Sequence, residues 1–471
     1  MKIKSILKLG TLALLTAALP ACSFLDTDPQ IIPDDGYYNS EQKLIYGLAG
    51  VYGVLNSEAL YGNYYSLQIA NADDLCYFNN YNNSESRPDR YNHSAGTAAI
   101  YDPWSKLYEG IKNANRYIEA VEKTEIDPGK LSVDIGLYIA EARFLRAYYH
   151  FLLAQAWGDM PLRVKATTSP NPNDVQMAAT PQEQVLKWCA DEIEATIPDL
   201  YEPIDNTPSR VSQTVAQGIL ARVYLYMNEY SGAASLSAEV MKEFPLTARE
   251  KYRNMFVNVA TRGGESILRL NGYDQSDFIS DLYYYESPSA RPSAKLKELF
   301  TDERDVRLTL FRHTANSGQT GQAVDYDNVC MKFYCTDETT NKLDRHFDPF
   351  ILRSSEMYLI NAEANYELGN TSVAADDIKA LEARALGVDA SEVVIDLASL
   401  ELTIQNERMK ELCFEGHRLF DITRRHENLS RSRNSTSSVL FLKYPDYRFV
   451  LPIPYLELES NPEMEQNPSS N

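Results

Sequence analysis

The side chain best suited to catalysis is His417, which lies in a charged stretch at residues 404–418. A histidine beside carboxylates can act as a general acid or base, or it can bind a metal ion. A zinc-binding helix needs a second histidine one turn away, as in the HExxH motif, and this stretch has no such partner. The stretch is therefore predicted to be structural rather than catalytic.

The acids and arginines around His417 recur every three or four residues, so on a helix they could pair with one another. They are Glu407, Arg408, Glu411, Glu415 and Arg418. Apolar residues recur at similar steps, which predicts one amphipathic helix with its apolar face against a core. Those residues are Ile404, Met409, Leu412, Cys413, Gly416 and Phe420. We predict structural ion pairs along this helix.

A second kind of chemistry is indicated by residues 61–91, where six tyrosines and Phe78 are interleaved with asparagine and aspartate. Neither the helical nor the strand period persists, so the segment is predicted to be mostly loop. Aromatic rings can stack on the apolar face of a sugar, while amides and carboxylates bond to its polar rim. The same residue types also fit a long loop whose tyrosines cover a core edge and whose asparagines form turns.

Another aromatic cluster occurs within residues 231–350, where the helical signal weakens. Tyr283, Tyr284 and Tyr285 are consecutive in a region with several glycines and prolines, which predicts an irregular insertion. On the residues alone, this cluster fits a strand edge or loop packing as well as it fits a ligand surface.

The composition narrows the class of protein. A chain of 471 residues exceeds the usual size of one core, so two subdomains or an extended helical array are expected. The formal net charge of −21 argues against binding to nucleic acid or to anionic membranes through a basic surface. No nucleophile elbow, phosphate loop or Cys/His metal motif is present, so the sequence predicts no catalytic residue, metal or cofactor.

Residues 1–21 have the pattern of an export signal. Three lysines precede a mostly apolar run at residues 9–19, and the small Ala21 comes directly before Cys22. This arrangement resembles a bacterial lipobox, in which Cys22 would become the lipidated first residue of the mature chain. No later segment is apolar enough to span a bilayer, so the lipid would be the sole anchor.

The other five cysteines do not form a metal-binding pattern. Cys330 and Cys335 are close enough in sequence for a disulfide, although two lone thiols are equally compatible with the spacing. Cys76, Cys189 and Cys413 lie in or beside apolar runs and are predicted to be small core residues.

Helical periodicity predicts a set of helices that would position these segments. Their ranges are 40–55, 103–121, 140–157, 181–197, 211–230, 352–368 and 372–386. The helix at 140–157 is apolar on nearly every side and should be buried, and Gly158 and Pro161 should end it. Repeated antiparallel helix pairs are typical of tetratricopeptide units, although no fixed repeat length is visible here.

Several motifs resemble, in order along the chain, those of the SusD/RagB family, the surface glycan-binding lipoproteins of Bacteroidetes. The resemblance is strongest for ERMKELCFEGHRLFDITRR in the charged stretch and for EARFLRAYYHFLLAQAWGDMPL in the buried helix. Further matches are SRVSQTVAQGILARVYLY, LRSSEMYLINAEANYELG and the tail LPIPYLELESNPEMEQNP. Together they span nearly the whole chain.

The resemblance implies a mainly α, SusD-like fold, in which tetratricopeptide-type helix pairs form a scaffold beside an irregular, loop-rich ligand-binding subdomain. After the signal peptide, residues 22–471 would form one SusD-like domain. Its N-terminal variable part would span about 22–100, its scaffold about 101–230 and 351–425, its variable insertion about 231–350, and its tail 426–471. In the family the ligand surface draws on both variable parts. The implied ligand residues are Asp73, Tyr77, Phe78, Asn79, Tyr81, Tyr283, Tyr284 and Tyr285.

Three functions follow from the residues and the resemblance. The first is a surface lipoprotein of the outer membrane that captures an oligosaccharide or polysaccharide for a SusC-like TonB-dependent transporter. The second has the same partner but binds a peptide, because tyrosine and asparagine serve peptide backbones as readily as sugars. The third is a glycoside hydrolase, which would need two facing carboxylates at a separation that the sequence does not reveal.

Overall fold

The computed structural model describes residues 36–62, 73–78, 91, 93–202, 210–256, 264–270, 290–316, 323–333, 335–336, 343–344, 349–432 and 439–467. This part of the chain is mainly helical, as predicted, and contains ten helices of seven or more residues. They are α1 (Glu41–Tyr52), α2 (Ala98–Lys123), α3 (Ile135–Trp157), α4 (Gln182–Thr196), α5 (Gln213–Tyr226), α6 (Tyr230–Glu243), α7 (Ser354–Glu367), α8 (Thr371–Leu386), α9 (Leu400–Leu412) and α10 (Arg418–Arg424).

The helices from α2 to α8 form a serial array in which each one packs on the helix before it. Helix α1 packs on α2 and α3 at one end, and α9 packs on α7 and α8 at the other. Such an order is compatible with tetratricopeptide-type pairs. The largest apolar core runs through this array from Leu44 to Met464.

Helix α3 lies at the centre of the array and is buried on most sides, as its sequence predicts. Phe144, Phe151 and Trp157 are fully enclosed. The helix ends where Gly158 adopts a φ of +72°, a left-handed conformation that costs glycine little. The tail packs against this end, because Leu451 donates a backbone hydrogen bond of 2.9 Å to the carbonyl of Ala156.

Short strands form five antiparallel pairs within the described residues. The pairs are β1 (Cys76–Phe78) with β3 (Ala290–Pro292), β2 (Ser266–Arg269) with β8 (Phe350–Arg353), β4 (Arg312–Asn316) with β5 (Ala323–Asp327), β6 (Cys335–Thr336) with β7 (Leu343–Asp344), and β9 (Leu429–Ser430) with β10 (Phe441–Leu442). Seven of these ten strands fall within residues 231–350 or at their edge, in agreement with the weak helical signal there. Helix α6 also lies in this region and was missed by the sequence analysis.

The single helix predicted for residues 404–418 is wrong. Helix α9 ends at Leu412, a turn follows, and α10 begins at Arg418. In the turn, Phe414 has a φ of +66° and Gly416 a φ of +82°, values that an α-helix does not contain. The apolar spacing continues across the break because the residues on both sides face cores.

Candidate functional site

Strand β1 lies in the first tyrosine-rich segment and pairs with β3, which directly follows the second. The register places Cys76 opposite Pro292, Tyr77 opposite Arg291 and Phe78 opposite Ala290. Residue 79 therefore leaves β1 at the same place where residue 289 enters β3. Because paired strands lie about 5 Å apart, Phe78 and Ala290, which border the two tyrosine-bearing segments in the sequence, lie side by side. We call this place the β1–β3 edge.

The turn that leads into β1 is held by Asp73. Its carboxylate accepts hydrogen bonds from the backbone amides of Leu75 at 2.8 Å and Cys76 at 3.1 Å. Asp73 is buried, with 1% of its surface exposed, so its carboxylate faces the backbone and not a ligand. Burial and the neighbouring Asp74 raise the pKa of Asp73 to about 7. The structure thus gives this predicted ligand residue a structural position.

The next residue, Asp74, connects the same turn to Arg418 at the start of α10 and to Lys295. Its carboxylate accepts hydrogen bonds from Arg418 at 3.0 Å and from Lys295 at 2.5 Å. Burial acts to raise the pKa of Asp74, but these two cations hold it below its usual value. On the β3 side, Ser293 donates its hydroxyl to the Asp74 carbonyl and its amide to the carbonyl of Leu75. We call Asp74, Ser293, Lys295 and Arg418 the clasp.

The remaining predicted ligand residues are only partly covered by the structure. Tyr77 and Phe78 form β1 through their backbones. Asn79, Tyr81, Tyr283, Tyr284 and Tyr285 lie outside the described residues. The sequence analysis did not predict the contacts of the clasp. Of its four residues, only Arg418 had been singled out, as a member of the charged stretch.

The acids of the charged stretch form ion pairs, as predicted, but mostly with partners from distant parts of the chain rather than along a helix. Glu411 lies 2.7 Å from Arg353 of β8, 2.9 Å from Arg384 of α8 and 3.3 Å from Arg307. All of these side chains are almost fully buried. Burial acts to raise the pKa of Glu411, yet the surrounding cations hold it well below its usual value. The cations therefore favour the ionised form of this carboxylate.

Glu407 and Glu415 belong to the same buried group of charges. Glu407 lies 2.8 Å from Arg307, and Glu415 lies 2.7 Å from Arg353 and 2.6 Å from Lys332. Arg307 and Lys332 lie within residues 231–350, which we call the strand-rich region. These pairs therefore join that region to α9 and to the turn that follows it. Removing one partner from such a pair leaves an uncompensated buried charge, which is strongly destabilising.

His417 has no catalytic surroundings. Burial lowers its pKa to about 4, although nearby Glu356 acts in the opposite direction. Its Nδ1 is 3.9 Å from a Glu356 oxygen that also accepts from Arg222. Within the described residues, no group of three or more His, Cys, Asp or Glu side chains could hold a metal ion.

The cysteines of the described region are structural. Cys76, Cys189 and Cys413 are buried free thiols, as predicted. Cys330 is also a buried free thiol, so the disulfide to Cys335 is not formed. None of the helices in the described ranges combines the length and apolar character needed to cross a membrane.

Comparison with known families identifies the chain. The sequence model of the SusD family matches residues 307–469. A second model, described as starch-binding and associating with the outer membrane, matches residues 23–225. The chain belongs to the SusD family. The predicted membership is thereby confirmed, and the two matches cover both halves of the chain.

Curated SusD-like relatives match over nearly their full length. SusD-like protein P38 of Formosa agariphila is 24% identical, and the alignment covers 94% of this chain and 95% of the relative. SusD-like protein P25 of the same organism is 21% identical, with 95% of each chain covered.

Solved structures of the SusD superfamily share the fold. A member from Bacteroides vulgatus superposes with a TM-score of 0.79 at 21% identity, covering 92% of this chain and 100% of that one. A member from Bacteroides thetaiotaomicron has a TM-score of 0.78 at 21% identity, covering 91% and 100%. The predicted SusD-like fold is therefore confirmed.

Proposed function

We propose that this SusD family member is a surface-exposed lipoprotein that captures oligosaccharides and delivers them to a SusC-like TonB-dependent transporter of the outer membrane. The observation that supports the proposal is the pairing of β1 with β3, because it brings together the strand ends that border the two tyrosine-rich segments in the sequence. The family's description as starch-binding and associating with the outer membrane supports the same assignment.

Binding in this proposal is noncovalent. Tyr77, Tyr81 and one or more of Tyr283, Tyr284 and Tyr285 stack on the apolar faces of the sugar rings, and Asn79 bonds to the hydroxyl rim. Aromatic stacking tolerates different sugars, while amide groups fix the orientation of the bound oligosaccharide. The lipid on Cys22 holds the protein at the membrane beside the transporter.

The acids at β1 do not support a glycosidase. Asp73, whose pKa is raised, and Asp74, whose pKa is lowered, have the pattern of an acid and a charged partner. Both are buried to 1% exposure or less, and their oxygens already accept hydrogen bonds from the backbone or from the clasp. Both carboxylates hold the turn before β1 in place, so this pair gives no support to hydrolysis.

A peptide ligand is the second candidate, favoured by the formal net charge of −21, which would attract cationic peptides. It shares the transporter and the β1–β3 edge with the first candidate. The two candidate functions are distinguished by whether an oligosaccharide or a peptide binds.

The test is calorimetric titration of the mature, lipid-free protein with neutral oligosaccharides, acidic oligosaccharides and cationic peptides. We expect an oligosaccharide to bind to the native protein. The Tyr77→Ala/Tyr81→Ala/Tyr284→Ala variant should lose at least about tenfold in affinity, since a stacking contact of an aromatic ring is worth roughly 1 kcal/mol. A matched control replaces two exposed tyrosines elsewhere, Tyr447 and Tyr455, by alanine.

The outcomes separate the alternatives. Peptide binding that depends on the same three tyrosines would replace the glycan by a peptide. Binding that is equally strong in the triple variant and the Tyr447→Ala/Tyr455→Ala control would refute the β1–β3 edge as the site. Cleavage of a labelled oligosaccharide would establish hydrolysis instead of capture.

A further inference from the structure

An open cavity of about 300 Å³ lies beside α1, separate from the β1–β3 edge. This volume is at the lower end of the range for small-molecule sites. The cavity is lined by Ile45, Leu48, Ala49, Tyr52, Gly53, Asn56, Arg210 and Leu270. Ile45, Ala49 and Gly53 are four residues apart, so they form one side of α1 that faces the cavity. The lining is thus mostly apolar.

Arg210 is the charged residue among the described lining residues, and two of its five N–H donors bond to Glu141. Its Nε donates to Glu141 Oε2 at 3.2 Å, and its Nη2 donates to Glu141 Oε1. The Glu141 carboxylate is fully buried behind it, whereas 41% of the Arg210 side chain is exposed. The Tyr201 ring, 5.6 Å from Cζ, also supports the guanidinium. Arg210 is therefore held in a fixed orientation.

The other edge of the guanidinium has no partner within the described part of the chain. Glu141 occupies the Nε–Nη2 edge, and Nη1 has no hydrogen-bond acceptor among the described residues. A planar guanidinium can bind a second carboxylate in bidentate fashion through its Nη1–Nη2 edge. Burial acts to lower the pKa of Arg210, but Glu141 raises it above the ordinary arginine value, so the group stays charged.

Much of the cavity lining offers no hydrogen bond to a polyol. The Tyr52 hydroxyl donates to Glu141 at 2.5 Å and accepts from the Val211 amide at 2.9 Å, so both of its roles are taken. Sugar hydroxyls placed against Ile45, Ala49 and Leu270 would lose their bonds to water without replacement. The lining instead matches a ligand with an apolar body and one anionic end.

We propose that this cavity binds a small apolar carboxylate, with its apolar body against Ile45, Ala49 and Leu270 and its carboxylate on the free edge of Arg210. Apolar contact supplies part of the affinity, and the charge-assisted hydrogen bonds fix which end of the ligand points inward. The site is independent of glycan capture at the β1–β3 edge.

The experiment titrates the mature, lipid-free protein with three probes at pH 7, using calorimetry and ligand-observed NMR. The probes are 3-phenylpropionate, its uncharged amide, and propionate, which lacks the ring. We expect 3-phenylpropionate to bind at least about tenfold more tightly than the amide, because bonds to a charged group exceed neutral ones by about that factor. Propionate should bind more weakly than either, since it has little apolar surface to bury.

Variants assign the binding to this cavity. Arg210→Lys keeps a positive charge beside Glu141 but loses the planar edge, so it should lose most of the native protein's preference for the acid over the amide. Ala49→Phe should abolish both by filling the cavity, and Ile45→Glu, at a position that is 41% exposed, should repel the carboxylate without threatening the fold. Tyr46→Ala, on the neighbouring exposed side of α1, is the matched control and should bind like the native protein.

Several results would overturn the proposal: absence of 3-phenylpropionate binding at millimolar concentration, equal affinity for the acid and the amide in the native protein, or full binding in a folded Ala49→Phe or Ile45→Glu variant. Oligosaccharide titration of the Ala49→Phe variant distinguishes this site from the β1–β3 edge, because glycan binding should be unchanged there.

Discussion

At the scale of single residues, Asp73 and Asp74 show how neighbouring acids acquire opposite properties. Asp74 faces two cations, Arg418 and Lys295, and stays ionised although it is buried. Asp73 faces backbone amides and has its pKa raised to about 7, first by burial and then by Asp74. The side chains are adjacent in sequence, so their partners alone account for the difference.

The raised pKa of Asp73 predicts a pH-dependent stability. In the unfolded chain this group titrates near pH 3.8, whereas in the folded protein it titrates near pH 7. The folded state therefore holds a proton that the unfolded state has lost, and stability falls as the pH rises between these values. The Asp73→Asn variant resembles the protonated acid and does not titrate. Its free energy of unfolding should therefore rise relative to that of the native protein by up to about 4 kcal/mol as the pH increases from 4 to 8.

Urea unfolding of both proteins across this range measures the difference. Asp302→Asn is a control of opposite sign, since the hydrogen bonds from Arg304 lower the pKa of Asp302 to about 2 and its contribution is lost as the pH falls. If the free energies of unfolding of the native protein and the Asp73→Asn variant differ by the same amount at every pH, Asp73 does not titrate in this pH range.

At the scale of elements, the sequence predicted where most helices lie but not where the charged stretch breaks. The helices at 140–157, 181–197, 352–368 and 372–386 were located to within a few residues because an apolar face or a glycine marks them. The break after Leu412 was missed because the residues of α9 and α10 together keep a helical spacing, although they face different cores.

Helix α6 and the ion-pair partners were missed for other reasons. Helix α6 is rich in serine and alanine and has few large apolar residues, so its periodicity is weak until it packs between α5 and α7. The pairing of Glu411 with Arg307, Arg353 and Arg384 joins residues up to 104 positions apart, which no local spacing records. The pairing of β1 with β3 is equally long-range, and the sequence analysis reached a joint aromatic surface only through the family resemblance.

The turn between α9 and α10 predicts a specific cost at Gly416. Its φ of +82° is unfavourable for a residue with a Cβ atom, so Gly416→Ala should destabilise the protein by about 1–2 kcal/mol. Urea unfolding measures the change. Gly50→Ala is the control, because Gly50 lies within α1 and an added Cβ would meet nothing within 4 Å. Alanine favours a helix, so the Gly50→Ala variant should be as stable as the native protein or more stable. An equal loss of stability in the two variants would contradict the strain assigned to position 416.

At the scale of the whole molecule, charges hold the strand-rich region and the helical array together. Arg307 connects the strand-rich region to α9, and Lys332 connects it to the turn after α9. Arg353 connects β8 to α9. The clasp makes a similar connection between the turn before β1 and Arg418 at the start of α10, two positions that are 344 residues apart. The position of the β1–β3 edge therefore depends on the scaffold.

This dependence predicts that a scaffold residue affects ligand binding without touching the ligand. Arg418→Gln should weaken oligosaccharide binding by about tenfold or more, because Asp74 loses a charged partner and β1 loses its attachment. Arg424→Gln is the matched control at the other end of α10, because Arg424 pairs with Glu363 and Asp421 and shares no carboxylate with Arg418. Calorimetry measures the affinities, and circular dichroism verifies that the variants are folded. Equal affinity of the two variants would contradict the prediction.

The closure of β1 on β3 also has a consequence for how ligand preference can change. Residues 79–90 begin after Phe78 and end at the buried Tyr91, while residues 271–289 run between the buried Leu270 and Ala290. Each segment thus starts and finishes at backbone positions that the rest of the protein fixes. Either one can be exchanged for the corresponding segment of another SusD relative as a cassette, which would transfer a binding preference while leaving the host framework intact.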